Sequence, residues 1–222
     1  MTVPSGRADN HGFLAALLVA AASFAAACPW PVLAQEAKAG KQLASLANNP
    51  LADKVSLPFQ YDANRYAGSG GKTQQELTIL PLIPFRANDD WDVITRTIVP
   101  IIVQPGLAAG EGTARGLGDM LLTAFLSPAR VGQLDWGVGP VLQIPSAKSD
   151  SLGQGKWAAG LSAATIWSSN QWSIIALINN VRSFAGDVHR PPVNQMQLQP
   201  MISYNFPHDR YVSFAPTITA IG

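Results

Sequence analysis

A single cysteine, Cys28, stands in the 222 residues, and it falls inside what reads as an export leader. One thiol cannot build a disulfide framework or a cysteine metal site. Charge is scarce as well: Asp, Glu, Lys and Arg make up 13% of the chain, against about 25% in ordinary soluble domains. Removing Arg7 and Asp9 with the leader takes the 15 basic and 14 acidic residues to 14 and 13. A chain so balanced has no basic face, and no nucleic-acid partner is expected. Long hydrophobic runs are missing beyond the leader, where nothing approaches the roughly 20 apolar residues of a spanning helix. If this chain enters a membrane it must do so with strands, since only helices and closed barrels satisfy every backbone group in hydrocarbon.

What is present begins with the leader. Arg7 and His11 precede an apolar run from Phe13 to Ala27, and Val32-Leu33-Ala34 supplies a small residue before Gln35. That order is the mark of a secretory signal peptide, with cleavage expected after Ala34. An alternative uses Ala25-Ala26-Ala27-Cys28 as a lipoprotein processing site with Cys28 lipidated, although Pro29 sits awkwardly behind it. The expected organisation is a signal peptide over 1–34, an Ala/Lys/Gln-rich lead-in over 35–52 and one β-domain over 53–222.

The β-domain announces itself by alternation. In Asn194–Phe206, Met196, Leu198, Pro200, Ile202, Tyr204 and Phe206 share one face of an extended strand. Gln195, Gln197, Gln199, Ser203 and Asn205 share the other, because strand side chains alternate. Leu134–Ile144 repeats the pattern, with Trp136 on the oily side and Gln143 opposite. So does Trp157–Trp167, whose tryptophans end one face while Lys156 opens the other. Ten residues at about 3.3 Å, tilted by roughly 40°, span near 25 Å, the height of an outer-membrane barrel's apolar band. Tight turns (Arg86–Asp90, Ser168–Gln171, Pro207–Asp209) alternate with longer polar loops, as such barrels are built. About nine strands are expected.

Two features sit badly with a barrel. Pro81, Pro84, Pro100, Pro140, Pro200 and Pro216 lie in or beside candidate strands, where each removes a ladder donor and calls for a bulge, edge or bend. The chain also stops at Ile221-Gly222 inside a strand, which reads as truncation.

Several stretches together carry a family resemblance: LANNPLADKVSLPFQ (46–60), LPLIPFRANDDWDVITRTIVPII (80–102), GLGDMLLTAFLSP (116–128), WGVGPVLQIPSA (136–147), LGQGKWAAG (152–160) and LQPMISYNFP (198–207). The chain resembles bacterial exported proteins labelled neuromedin U, a label transferred from an unrelated animal peptide. It is similar to outer-membrane proteins associated with phenol meta-pathway degradation. The resemblance implies an outer-membrane β-barrel with a transporter or porin-like role, in a family whose members continue past the point where this chain ends. It brings no catalytic or substrate-binding residues.

The expectation is therefore an antiparallel up-and-down outer-membrane β-barrel passing small solutes, aromatic ones included. The alternatives are a closed structural barrel, a periplasmic lipid-binding β-protein, and a lipid hydrolase built on His189 or His208. Loop histidines are ordinary surface groups more often than catalysts, so no enzymatic activity, cofactor or metal is expected. The acidic run Asp89-Asp90-Asp92 reads as a polar turn rather than a cation site. Lumen-facing candidates are Glu76, Arg96, Asp119, Gln143, Lys156, Arg182, Gln195, Gln197 and Gln199. Membrane-interface aromatics are Trp136, Trp157, Trp167, Tyr204 and Phe206. Expected partners are outer-membrane lipids, the barrel-assembly machinery and an unidentified small solute.

Overall fold

The computed structural model describes residues 49–66, 71–107, 110–129, 132–169, 171–206 and 210–222. The expected leader, Cys28, most of the lead-in and His208 lie outside these residues. Twelve strands form one antiparallel sheet: β1 (Phe59–Arg65), β2 (Thr73–Ile79), β3 (Leu82–Arg86), β4 (Trp91–Gln104), β5 (Ala114–Leu117), β6 (Met120–Pro128), β7 (Leu134–Ile144), β8 (Lys156–Ser168), β9 (Trp172–Gly186), β10 (Asn194–Phe206), β11 (Arg210–Phe214) and β12 (Ile218–Ile221). Three runs are interrupted. β2 and β3 lie along one side of β4, β5 and β6 along its other side, and β11 and β12 along the free side of β10. The twelve strands thus make nine strand-length runs, each beside the next in sequence.

The sheet is open. Its path runs from β1 to β11, and among the described residues the outer edges of β1, β11 and β12 pair with no strand. Closure requires the first run to ladder with the last, so the expected closed barrel is corrected to an open meander. The lumen of a porin-like channel or transporter, and that of the closed structural barrel, fall with it.

The interruptions account for the prolines. In an antiparallel ladder each residue turns its N–H and C=O toward the same neighbour, and successive residues turn to opposite sides. The carbonyl of Pro100 accepts the N–H of Gly118 at 2.9 Å, so its missing donor faces the break between β5 and β6. On β10, Asn194 accepts from Gly222 across the β12 side, and the same parity aims Pro200 at the break between β11 and β12. On β7, Gln133 accepts from Ser168 toward β8, so Pro140 faces β6, where no pairing joins the Thr123–Val141 and Leu126–Val138 partners. Leu82 exchanges bonds with Ser56 on the side away from β4, which turns Pro84 to that edge too. Pro81 and Pro216 lie within the breaks themselves. Each proline sits where a ladder donor is not needed.

Burial inverts the usual arrangement of a soluble sheet. On β8, Ala158, Ser162, Ala164 and Ile166 are buried, whereas Trp157, Leu161, Thr165 and Trp167 are exposed. β9 buries Ser173, Ile175, Leu177, Asn179 and Val181 and exposes Trp172, Ile174 and Ile178. The shielded face carries two clusters of modest apolar side chains, a smaller one around Val141, Ala158 and Val181 and a larger one, Phe125 its bulkiest member, into which Leu51 and Ala52 pack from ahead of β1. Gly137 makes room: a methyl group there would stand 2.7 Å from a Leu51 methyl. Thr123, Gln143, Ser162, Asn179 and Ser203 are buried on this same face.

Gly139 and Gly160 permit close strand approach. A Cβ at either position would lie 1.7 Å from a backbone oxygen, that of Ala124 or Asn180. Gly160→Val is therefore expected to destabilise the sheet by about 1–3 kcal/mol, read as a lower urea midpoint. Ala159→Val, on the exposed face, is expected to shift it little.

Candidate functional site

Register builds a polar band across the shielded face. Gly139, Ser162, Asn179, Gln197 and Thr219 stand opposite one another across β7, β8, β9, β10 and β12. The next row is Val141, Gly160, Val181, Gln195 and Ile221. Asn179 accepts a hydrogen bond from the Ser162 hydroxyl through Oδ1, while its buried Nδ2 has no partner. Beside the band lies a cavity of about 430 Å³, lined by Glu76, Gln143, Asn179, Gln195 and Gln197 on its polar side and by residues such as Ile102 and Leu121 on its apolar side. A periplasmic carrier holding lipid in its interior would need an apolar enclosure. Among the described residues the open sheet encloses no such interior, and that alternative is corrected with the barrel.

Of the nine lumen candidates, Glu76, Asp119, Gln143, Gln195 and Gln197 meet at this cavity. Gln199 is half-buried on the same face, opposite Leu177. Arg96 is half-buried between Leu82 and Thr123, with no acidic side chain paired to it among the described residues. Lys156 opens β8 opposite Gly186, and its carbonyl accepts from Gln143 at 3.4 Å. Arg182 departs from the expectation: it is exposed on the oily face, opposite Ala159 and Asn194. Both faces of β9 are rich in apolar residues, so its parity is not visible in the sequence.

Asp119 is a loop anchor. It follows the β5–β6 break and accepts backbone N–H groups from Ala147 (3.2 Å), Gln154 (2.5 Å) and Gly155 (3.3 Å), fixing the 145–155 loop at the cavity mouth. Gly155 takes the left-handed conformation (φ 66°) that this hook requires. Arg190 reaches from the 187–193 loop to the Asp150 carbonyl at 2.7 Å and its carboxylate at 3.6 Å, joining the two loops. His189, a candidate catalyst by sequence, turns its ring to Asp187 at 3.2 Å. In the acidic run, Asp92 pairs with Arg86 at 2.9 Å.

The aromatic side chains gather on the exposed face near the short turns. Trp91 meets Trp136 edge-on at 6.0 Å, and Tyr204 is edge-on to both Trp172 and Phe206 at 4.8 Å. Turn chemistry places two of these rings. Asn88 Oδ1 accepts the N–H of Trp91 and Ser169 Oγ that of Trp172, each closing a side-chain turn as the strand begins. Trp167 ends β8 at the same rim, and Trp157 begins it at the other, both exposed. Sequence reasoning does not single out Trp91, Trp172, Ser162 or Asn179. The Asn88 and Ser169 turn signals could have found the first two.

These features define an all-β chain with an open meander sheet, a shielded face bearing the polar groups and an oily face bare. Residues 56–217 match the family model described as "Putative MetA-pathway of phenol degradation", and the chain belongs to that family. No curated protein and no solved structure matches the chain.

Two tests address the loops. Asp119→Ala is expected to speed hydrogen exchange at the amides of Ala147, Gln154 and Gly155 while strand amides stay protected. Asp187 is held below the usual carboxylate range, first by the His189 backbone N–H and then by the His189 ring. A depressed folded pKa contributes stability above the unfolded value that is lost as pH falls through the folded one. The Asp187 carboxyl carbon should accordingly titrate in NMR below the peptide value of about 3.9, and an ordinary midpoint would show the contact absent in solution.

Proposed function

We propose that this protein is a non-enzymatic component of the bacterial outer membrane, exported by a cleavable leader and resting the oily face of its open sheet on lipid at the membrane surface. The observation that carries this reading is the inversion of the two faces. Soluble monomers rarely expose contiguous apolar patches beyond a few hundred Å². Here Leu122, Leu126, Trp136, Val138, Leu161, Ile174, Ile178 and Ile202 lie bare along neighbouring strands. Leaving each large side chain half in water forgoes roughly 1 kcal/mol of burial. The aromatic rings near the turns suit the lipid–water interface, where Trp and Tyr sit with a wet edge and a dry body.

Family membership supports the location, and the family description ties such proteins to phenol degradation. The reading assigns the chain a place at the cell surface of that process rather than a chemical step in it. Delivery to that membrane would fall to the cell's machinery for outer-membrane β-proteins. The near-balanced charge gives nucleic acid nothing to hold.

Leu161 tests the reading. It is 72% exposed near the middle of β8. If that face is in water, Leu161→Lys is neutral to within about 0.5 kcal/mol. If it rests on lipid, replacing its apolar burial with a charge forgoes roughly 1.5–3 kcal/mol, and the variant should be lost from the outer-membrane fraction. Single-tryptophan chains retaining Trp167 should be quenched by brominated lipid and spared by iodide. Retention of Leu161→Lys in membranes together with iodide quenching would reject the reading.

A further inference from the structure

We propose that the outer edge of β1 is a self-pairing interface, which takes the same edge of a second copy of this chain. The inference concerns backbone groups at the rim of the sheet and does not depend on lipid contact. Parity identifies the groups. Pro58 accepts the N–H of Leu80 at 3.0 Å, Tyr66 donates to Lys72 at 2.9 Å, and Ser56 exchanges bonds with Leu82 at 3.0 and 2.9 Å. Even-numbered residues of this run therefore bond inward, toward β2 and β3. Leu57, Phe59, Tyr61, Ala63 and Arg65 turn their N–H and C=O outward, where no strand meets them among the described residues. Pro58, the one proline between Ser56 and Tyr66, faces inward and removes none of these outward donors.

Natural sheets blunt such an edge with short strands, lysine or proline. The opposite edge is built that way: β11 and β12 have 5 and 4 residues, and Pro216 stands in the break between them. β1 and its extension through Ser56 carry no such defence, and Val55, Leu57, Phe59 and Tyr61 are 54–72% exposed in one row. The sequence of this edge is complementary to itself. With a two-fold axis at Pro58, Leu57 stands opposite Phe59 of the second copy, and Val55 stands opposite its Tyr61. Each of these pairs, repeated by the symmetry, exchanges both of its outward backbone bonds. On the other face Ser56 meets Gln60, and the exposed Lys54 meets Asp62, a charge match also made twice. Moving the axis by one residue, to Leu57 or Phe59, loses the Lys54–Asp62 match. Moving it by two sets Phe59 against Asp53 or Val55 against Arg65. Opposed residues share a face, so the pair presents its two oily faces on one side, as a single wider sheet.

The test uses the full-length chain exported into the oxidising bacterial envelope, with Cys28→Ser to leave no other thiol. Pro58 lies on the axis, where opposed Cα atoms stand about 4.5 Å apart, within disulfide reach. Pro58→Cys should therefore give a thiol-reversible dimer on a non-reducing gel. Gln60→Cys should stay monomeric, because its counterpart lies too far along the partner strand, and Ser56→Cys combined with Gln60→Cys should link again. No link at Pro58→Cys would overturn the proposal. So would equal links at Gln60→Cys and Pro58→Cys, which would report random collision. Should the cysteine variants misfold, Tyr61→Pro decides. It deletes one outward donor in each copy and no bond to β2, so the circular dichroism should persist. The dimer of the otherwise unmodified chain in micelles, followed by analytical ultracentrifugation, should weaken about tenfold or more. An unmodified chain that stays monomeric at every concentration, or a Tyr61→Pro dimer of unchanged affinity, would overturn the proposal too.

Discussion

The register of β8, β9 and β10 constrains the rest of this molecule, because it decides which half of every strand is shielded. Ser162, Asn179 and Gln197 align across these strands, and Ala164, Leu177 and Gln199 align two residues along. A slip of one residue on β9 would bring Asn180 and Ile178 to the shielded face and bury nothing that fits the small residues of β8. On β7 and β8 the shielded side is built largely from small residues, Gly137, Gly139 and Val141 on the first and Ala158, Gly160, Ser162 and Ala164 on the second. The large side chains, Trp and Leu above all, are left to the face where space is unlimited.

That division explains how the sheet tolerates both its prolines and its glycines. A missing donor is costly only where a partner strand presents a carbonyl, and here the partner is interrupted wherever Pro100, Pro140 and Pro200 aim. The interruptions in turn release loops: the β5–β6 break ends in Asp119, whose carboxylate gathers the loop that borders the cavity. A sequence feature that argues against regular strands thus marks where the polar site is assembled.

Much of this is legible in the amino-acid sequence alone. The alternation in Asn194–Phe206 and Trp157–Trp167 separates the two faces of β10 and β8, and the short turns locate the aromatic rim. Glu76, Gln143, Gln195 and Gln197 stand out as a polar set, although what they line is a cavity and not a channel. Closure is not legible, because alternation reports which face a residue occupies and carries no information on whether the first run meets the last. β9 is unreadable for a related reason. Ile174, Ile175, Leu177 and Ile178 offer apolar residues to both sides, so only pairing with Ser162 and Gln197 settles that Asn179 turns in and Arg182 out.

A strand period of two separates two chemistries along one backbone, and the separation has a mechanical consequence. Odd-numbered residues of β8 and even-numbered residues of β9 and β10 belong to the oily face, while their neighbours one position away line the polar band. Substitution on one face therefore leaves side-chain chemistry on the other intact unless it moves the backbone. Glycines such as Gly160 are the exception, since anything larger there pushes the adjoining strand and disturbs both faces at once. The chemistry of the oily and the shielded face can consequently be varied independently at Leu161 and Gln197, although these residues lie on strands only two apart in the sheet.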